Sequence, residues 1–164
     1  MSGPPLPLWH PARLIASWFG SGQIPFAPGS WASLFALPFA WAISEAWGPI
    51  GLFVGACLAF LAGLWASSLL LRRSGMKDPR WIVIDEVAGQ WLALVPVAPF
   101  DPILYGVGFF MFRLFDVLKP WPANWCDRRI PGAMGVMLDD IVAGVYAAAV
   151  VYAVDIANIN YGIY

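Results

Sequence analysis

The chain has 164 residues, 60% hydrophobic and 12% charged, with a net charge of −1 and a mean hydropathy of +0.70. A soluble domain carries roughly 25% charged residues, so the composition excludes an ordinary soluble fold and points to an integral membrane protein. The balanced charge offers no basic field for nucleic acid. Ten Trp add weight, because this side chain favours the membrane interfaces. Cys57 lies in an apolar run and Cys126 in a charged stretch, with neither disulfide nor metal-ligand spacing. Met1–His10 has three prolines and no basic start before an apolar core, so no cleavable signal peptide is expected.

Residues 1–12 read as a tail. Leu14, Ile15, Trp18 and Phe19 recur at helical spacing beside Arg13 and Ser17, which predicts a short interfacial helix. A Gly/Ser loop follows to residue 30, with Ser30 as the helix N-cap. A first apolar segment runs from Trp31 to Trp47, interrupted by Pro38 and carrying Glu45, and Gly48-Pro49 turns the chain. Ile50 to Leu71 is free of charge and meets the ~20 residues a bilayer requires. After a basic loop at 72–77, Asp78-Pro79 reads as N-cap and first helical position of a third segment, ending near Val97 and holding Asp85 and Glu86. Residues 98–102 turn the chain into a fourth segment, Ile103 to Leu118. A loop over 119–138 leads to a fifth, Asp139 to about Ala157, and the last residues should be loosely ordered. The expected fold is all-α: a polytopic membrane helical bundle of about five spans over 31–158, plus the interfacial helix, in one domain.

Five crossings place all nine Lys and Arg on one side, and Glu45, Asp101 and Asp155 on the other. The positive-inside rule makes the basic side cytoplasmic. Asp85, Glu86, Asp116, Asp139 and Asp140 then fall within about two helical turns of that surface, from three spans.

Asp85-Glu86 and Asp139-Asp140 each read as opening a helix, where one acid suffices to complement the dipole. Paired acids on two helices, with Asp116 near, repel unless a cation lies between them. Mg2+ takes oxygen ligands and keeps several waters, so metal binding stands ahead of capping. Arg113, Asp116 and Lys119 share a helix face, as a salt-bridge ladder or as functional groups. Gly89, Ala143 and Gly144 follow acids at i+4 and would let helices approach closely. Asp127, Arg128 and Arg129 read as a solvated loop face, and Gly132 and Gly135 as turn residues. Histidine-nucleophile and thiol phosphatase chemistries lack their residues. The only histidine is His10, in the tail, and Gly132 stands where a Cys-x5-Arg motif starting at Cys126 needs arginine.

In order, Gly20-Ser21-Gly22, Ala27-Pro28-Gly29-Ser30, Asp85-Glu86 with Gly89, and Arg113-x-x-Asp116-x-x-Lys119-Pro120-x-Pro122 make a pattern. Asp127, Gly132-x-x-Gly135-x-Met137 and Asp139-Asp140-x-x-Ala143-Gly144 complete it. The chain resembles the phosphatidylglycerophosphatase A family of bacterial membrane phosphatases from about Trp18 to Val151. Ser30 stands where that family commonly has threonine, and Ala32 and Ala133 where it has glycine.

The resemblance implies Mg2+-dependent hydrolysis of phosphatidylglycerophosphate to phosphatidylglycerol and phosphate, in phospholipid biosynthesis, at the cytoplasmic face of the bacterial inner membrane. On the matched positions, Asp85, Glu86, Asp139 and Asp140 would hold Mg2+, and Asp116 would ligate or orient water. Arg113, Lys119 and Arg128 would offset phosphate charge, and Ser21 and Ser30 would hydrogen-bond it. The expected partners are the phospholipid and the membrane, and a homo-oligomer is compatible with the pattern. Two other readings stand beside this one: a metal-dependent phosphatase of another lipid phosphate, and a small ion-coupled transporter.

Overall fold

The computed structural model describes residues 6–76, 79–97 and 100–161. Six α-helices follow in order: α1 (Pro11–Ala16), α2 (Pro28–Ser74), α3 (Ile84–Leu94), α4 (Pro102–Leu118), α5 (Ala123–Arg129) and α6 (Ala133–Tyr161). A 3-10 turn at Ser21–Gln23 joins α1 to α2, and there is no strand among the described residues. The all-helical expectation holds.

α1 is shorter than its apolar spacing suggested. It ends at Ala16 because Trp18 and Phe19 both turn left-handed, at φ 45° and 56°. Those rings therefore leave the helix, and Trp18 packs edge-on against Phe39 and Trp91.

α2 consists of two limbs that meet at Gly48, whose φ of 65° and ψ of −165° are non-helical. Glycine tolerates this conformation, and Pro49 opens the second limb where no N–H is needed. The turn read at Gly48-Pro49 is thus a break between limbs. At the head of α2, Ala27 is left-handed and Pro28 takes the first helical turn. Ser30 already lies inside the helix and is not its N-cap, a correction to the sequence reading.

The Asp78 cap lies outside the described residues, and Pro79 is not helical. α3 begins only at Ile84. Residues 79–82 form a turn closed by Ile82 N donating to Pro79 O at 2.9 Å, Val83 has non-helical φ −142° and ψ 11°, and Val83 N donates to Ala16 O at 2.8 Å. This bond ties the approach to α3 onto α1. Asp85 and Glu86 still fall in the first turn of α3.

α4 opens with Asp101 accepting from Ile103 N and Leu104 N, at 2.7 and 3.0 Å, and it closes at left-handed Lys119. The expected loop over 119–138 contains α5 and the start of α6. Asp139 and Asp140 consequently sit almost two turns inside α6 and do not open it. Gly135 is helical too: a Cβ there would collide with Ile130 O, so close packing explains this glycine and a turn does not.

α3 is the central element. Val87, Ala88, Ala93 and Leu94 are fully buried between α2, α4 and α6. Trp91 Nε1 donates to Ala36 O at 3.0 Å, which pins α3 to the first limb of α2. Against α6 the backbones themselves meet, with a Cβ on Gly144 falling 2.5 Å from Gly89 O. The small residues read at i+4 from the acids are therefore packing residues.

Among the described residues two helices, α2 and α6, are long and apolar enough to cross a membrane. Five full spans are not shown. α3 has 11 residues, or roughly 16 Å at ~1.5 Å per residue, against a ~30 Å hydrocarbon core.

Candidate active site

The acids of α3 and α6 converge because the glycine contact between these helices lies one turn beyond them. Asp85 and Glu86 on α3 and Asp140 on α6 bring carboxylate oxygens within 4.8 Å of one another. Asp85 and Asp140 are buried, and the Glu86 side chain is 16% exposed. Asp85 Oδ1 accepts from Glu86 N at 3.1 Å, and Glu86 Oε2 is buried without a hydrogen-bond partner.

Neighbouring residues on a helix point about 100° apart, and Asp139 accordingly faces elsewhere. Its carboxylate accepts from Lys119 Nζ at the end of α4. Asp127 on α5 lies 3.9 Å from the same ammonium. Burial opposes the lysine's charge. The hydrogen bond and charge of Asp139, helped by Asp140 and Asp127, outweigh it and raise the Lys119 pKa above its ordinary value.

Nearly two turns back along α4, Arg113 Nη1 lies 2.7 Å from Asp116 Oδ2 and 3.9 Å from Glu86 Oε1. The i,i+3 spacing puts both groups on one face. All three side chains are less than one fifth exposed, so the pair is little screened by solvent.

Apart from Asp127 and Asp139, these groups line one polar cavity of about 690 Å³, within the ~300–1,000 Å³ usual for ligand sites. Its walls are Ala27 to Gly29 at the head of α2, Arg80 and Ile82 before α3, Asp85 and Glu86, then Arg113, Asp116, Val117, Lys119 and Asp140. A Cβ on Gly29 would collide with Glu86 Oε1, so the head of α2 closes tightly over the acids.

Six of the residues singled out in the sequence therefore share the cavity: Asp85, Glu86, Arg113, Asp116, Lys119 and Asp140. Asp139 reaches it only through Lys119. Ser21 is buried and donates to Ser17 O at 3.1 Å, Ser30 lies within α2, and Arg128 is exposed on α5; none of the three is in the lining. Sequence reasoning missed Arg80 as a lining residue and Asp127 as a partner of Lys119. The signal for Arg80 was its place five residues before Asp85 on the same strand of chain.

The donor set fits Mg2+. Oxygens ~2.1 Å from such an ion are at most about 4.2 Å apart, close to the spread of the three carboxylates. Three carboxylates this near one another disfavour each other's charge, and a divalent cation between them would offset that repulsion.

Fold and site together define a helical, strongly apolar protein equipped for phosphate-ester chemistry. The family model of phosphatidylglycerophosphatase A matches residues 14–155. Phosphatidylglycerophosphatase A of Escherichia coli strain K12 is 38% identical over 148 residues, covering 90% of this chain and 85% of the relative. The protein of the same name from Haemophilus influenzae is 35% identical over 149 residues, covering 90% of each. A Bacteroides thetaiotaomicron protein provisionally named phosphatidylinositol-3-phosphatase is 38% identical over 146 residues, covering 82% of this chain and 87% of its own. No solved structure matches the chain. The chain belongs to the phosphatidylglycerophosphatase A family. It is a phosphoric monoester hydrolase, which sets the transporter reading aside.

Proposed function

We propose that the protein hydrolyses phosphatidylglycerophosphate to phosphatidylglycerol and phosphate, with Mg2+, as a step of phospholipid biosynthesis. The observation that carries the reading is the convergence of Asp85, Glu86 and Asp140 within 4.8 Å, in one cavity with Arg113, Asp116 and Lys119. The family, and the names of its Escherichia coli and Haemophilus influenzae members, supply the substrate.

In this reading Asp85, Glu86 and Asp140 hold the metal, and Asp139 orients Lys119 beside them. When bound, the divalent ion would offset charge on the phosphoryl oxygens and make water a better nucleophile. Arg113, fixed by Asp116, faces the phosphate and offsets charge that grows as the bond to glycerol oxygen breaks. Asp116 orients the attacking water. The head of α2 and Val117 narrow the cavity around the phosphate and exclude bulk water.

The protein sits in the bacterial inner membrane with the cavity toward the cytoplasm. Support comes from the apolar helices α2 and α6, the apolar outer surface at Leu58, Leu61, Phe110 and Ile159, and the cations Arg80, Arg113 and Lys119 in the cavity wall. The lipid's acyl chains then remain in the bilayer while its headgroup enters from the edge.

The test is phosphate release by the purified protein in detergent, with and without EDTA, across phosphatidylglycerophosphate, phosphatidic acid and a phosphatidylinositol phosphate. Phosphatidylglycerophosphate should turn over fastest, and only with a divalent cation. The Bacteroides relative's name makes the inositol lipid the relevant competitor. A preference for it would replace the substrate but keep a lipid phosphatase. Metal-independent turnover would overturn the metal reading.

A further inference from the structure

Among the described residues three cations line the cavity, and they are not equivalent. Arg113 is held by Asp116 and Glu86, and Lys119 by Asp139 and Asp127. Arg80 is exposed at the rim and pairs with no acid among the described residues. It stands on the segment that Val83 bonds to α1, next to Trp81, over whose ring Arg13 lies at 5.4 Å. Its backbone is thereby placed, while no described acid holds its guanidinium.

In the reading above, a phosphomonoester would occupy the inner end of the cavity. The rim would then face the part of the substrate that connects this group to the lipid. In phosphatidylglycerophosphate that part is a phosphodiester, one glycerol away from the scissile phosphate. A guanidinium presents paired N–H donors with the geometry of two phosphate oxygens, and with Arg113 and Lys119 paired to acids at the inner end, Arg80 is the lining cation that no described acid neutralises. We propose that Arg80 forms a second anion subsite, which takes the bridging phosphodiester and so selects lipids carrying two phosphates in series. The inference rests on the lipid-phosphatase reading above.

The subsite separates substrates by one group. Phosphatidic acid has the phosphomonoester but no bridging diester, and phosphatidylglycerol has the diester alone. The experiment compares wild type, Arg80→Gln and Arg80→Lys in mixed micelles on phosphatidylglycerophosphate and phosphatidic acid. Phosphatidylglycerol serves as a competitive inhibitor. For Arg80→Gln, KM for phosphatidylglycerophosphate should rise about five- to tenfold, the scale of one exposed charge-assisted contact. The loss of kcat/KM should be at least about fivefold greater than on phosphatidic acid. The inhibition constant of phosphatidylglycerol should rise with KM. Arg80→Lys should recover part of both effects, and the difference from wild type should shrink at high salt.

Equal losses on the two lipids, or no loss on either, would overturn the subsite while wild-type turnover left the parent reading standing. An unchanged inhibition constant would overturn it as well. A wild type that released no phosphate from phosphatidylglycerophosphate would overturn the parent reading, and the subsite with it.

Discussion

The main-chain oxygen of Asp140 lies 2.6 Å from where a Cβ on Gly89 would stand. This contact, one turn from Asp85, sets how close the acids of α3 come to those of α6. A Gly89→Ala substitution would also press on the Phe112 ring, 2.5 Å from the new methyl. Overpacking of this kind costs about 1–3 kcal/mol. The expected outcome is a lower midpoint of thermal inactivation in detergent, together with reduced turnover as the carboxylates part. Gly106→Ala, with nothing within 4 Å, is the control. It should hold or slightly raise the midpoint, since alanine is the better helix former. Equal effects at the two positions would refute the close-approach argument.

The site was legible because the chain has so few charges. In an apolar bundle, ionisable side chains collect where the helices end, and six of the residues singled out line one cavity. Gly89 and Gly144 were readable too, since small residues one turn from acids point to the same close contact. Helix starts were harder. Residues 133–138 are helix-compatible apolar residues around a glycine, and nothing local shows that α6 begins six residues before Asp139. At the other end, Val83 bonds to Ala16, a partner distant in sequence, so local pattern could not show that α3 waits until Ile84. Asp139 and Asp140 looked equivalent as a pair. Only the helix geometry sends one to Lys119 and the other to Asp85 and Glu86.

Lys119→Met leaves the buried carboxylate of Asp139 without its cation. Fully buried pairs lose about 3–5 kcal/mol on such a change. The Lys119 side chain is 33% exposed, so solvent should reduce the loss to roughly 1–3 kcal/mol. Adding Asp139→Asn should restore part of the thermal midpoint, because the stranded charge is gone. A double-mutant cycle measures this coupling. Additive losses would mean that the pair contributes nothing as a pair.

The proposed orientation predicts where thiol reagents reach. With Cys57 and Cys126 replaced, a cysteine at position 76, exposed just beyond α2, should label from the cytoplasm only. A cysteine at Phe100, at the opposite end of α4 and partly exposed, should label from outside intact cells. Outside labelling at position 76 would reverse the topology and place the cavity on the wrong face for a cytoplasmic substrate.

The acids can be told apart by what each one's charge does. Asp85→Asn and Asp140→Asn keep the size of the side chain and remove one of three converging charges. Both should lower turnover by 100-fold or more, about 2.7 kcal/mol in the barrier at ~1.36 kcal/mol per tenfold, and raise the Mg2+ concentration needed for half-maximal rate. Asp139→Asn removes a charge that faces Lys119, so its effect on Mg2+ demand should be smaller than its effect on stability. Asp101→Asn tests for nonspecific loss. Asp101 caps α4 through Ile103 N and Leu104 N, and asparagine caps nearly as well as aspartate, so activity and thermal midpoint should both stay near wild type. Direct Mg2+ binding by calorimetry on the same proteins separates ligand loss from a failure of chemistry alone. If Asp85→Asn and Asp140→Asn bind Mg2+ as tightly as wild type, the three carboxylates are not its ligands.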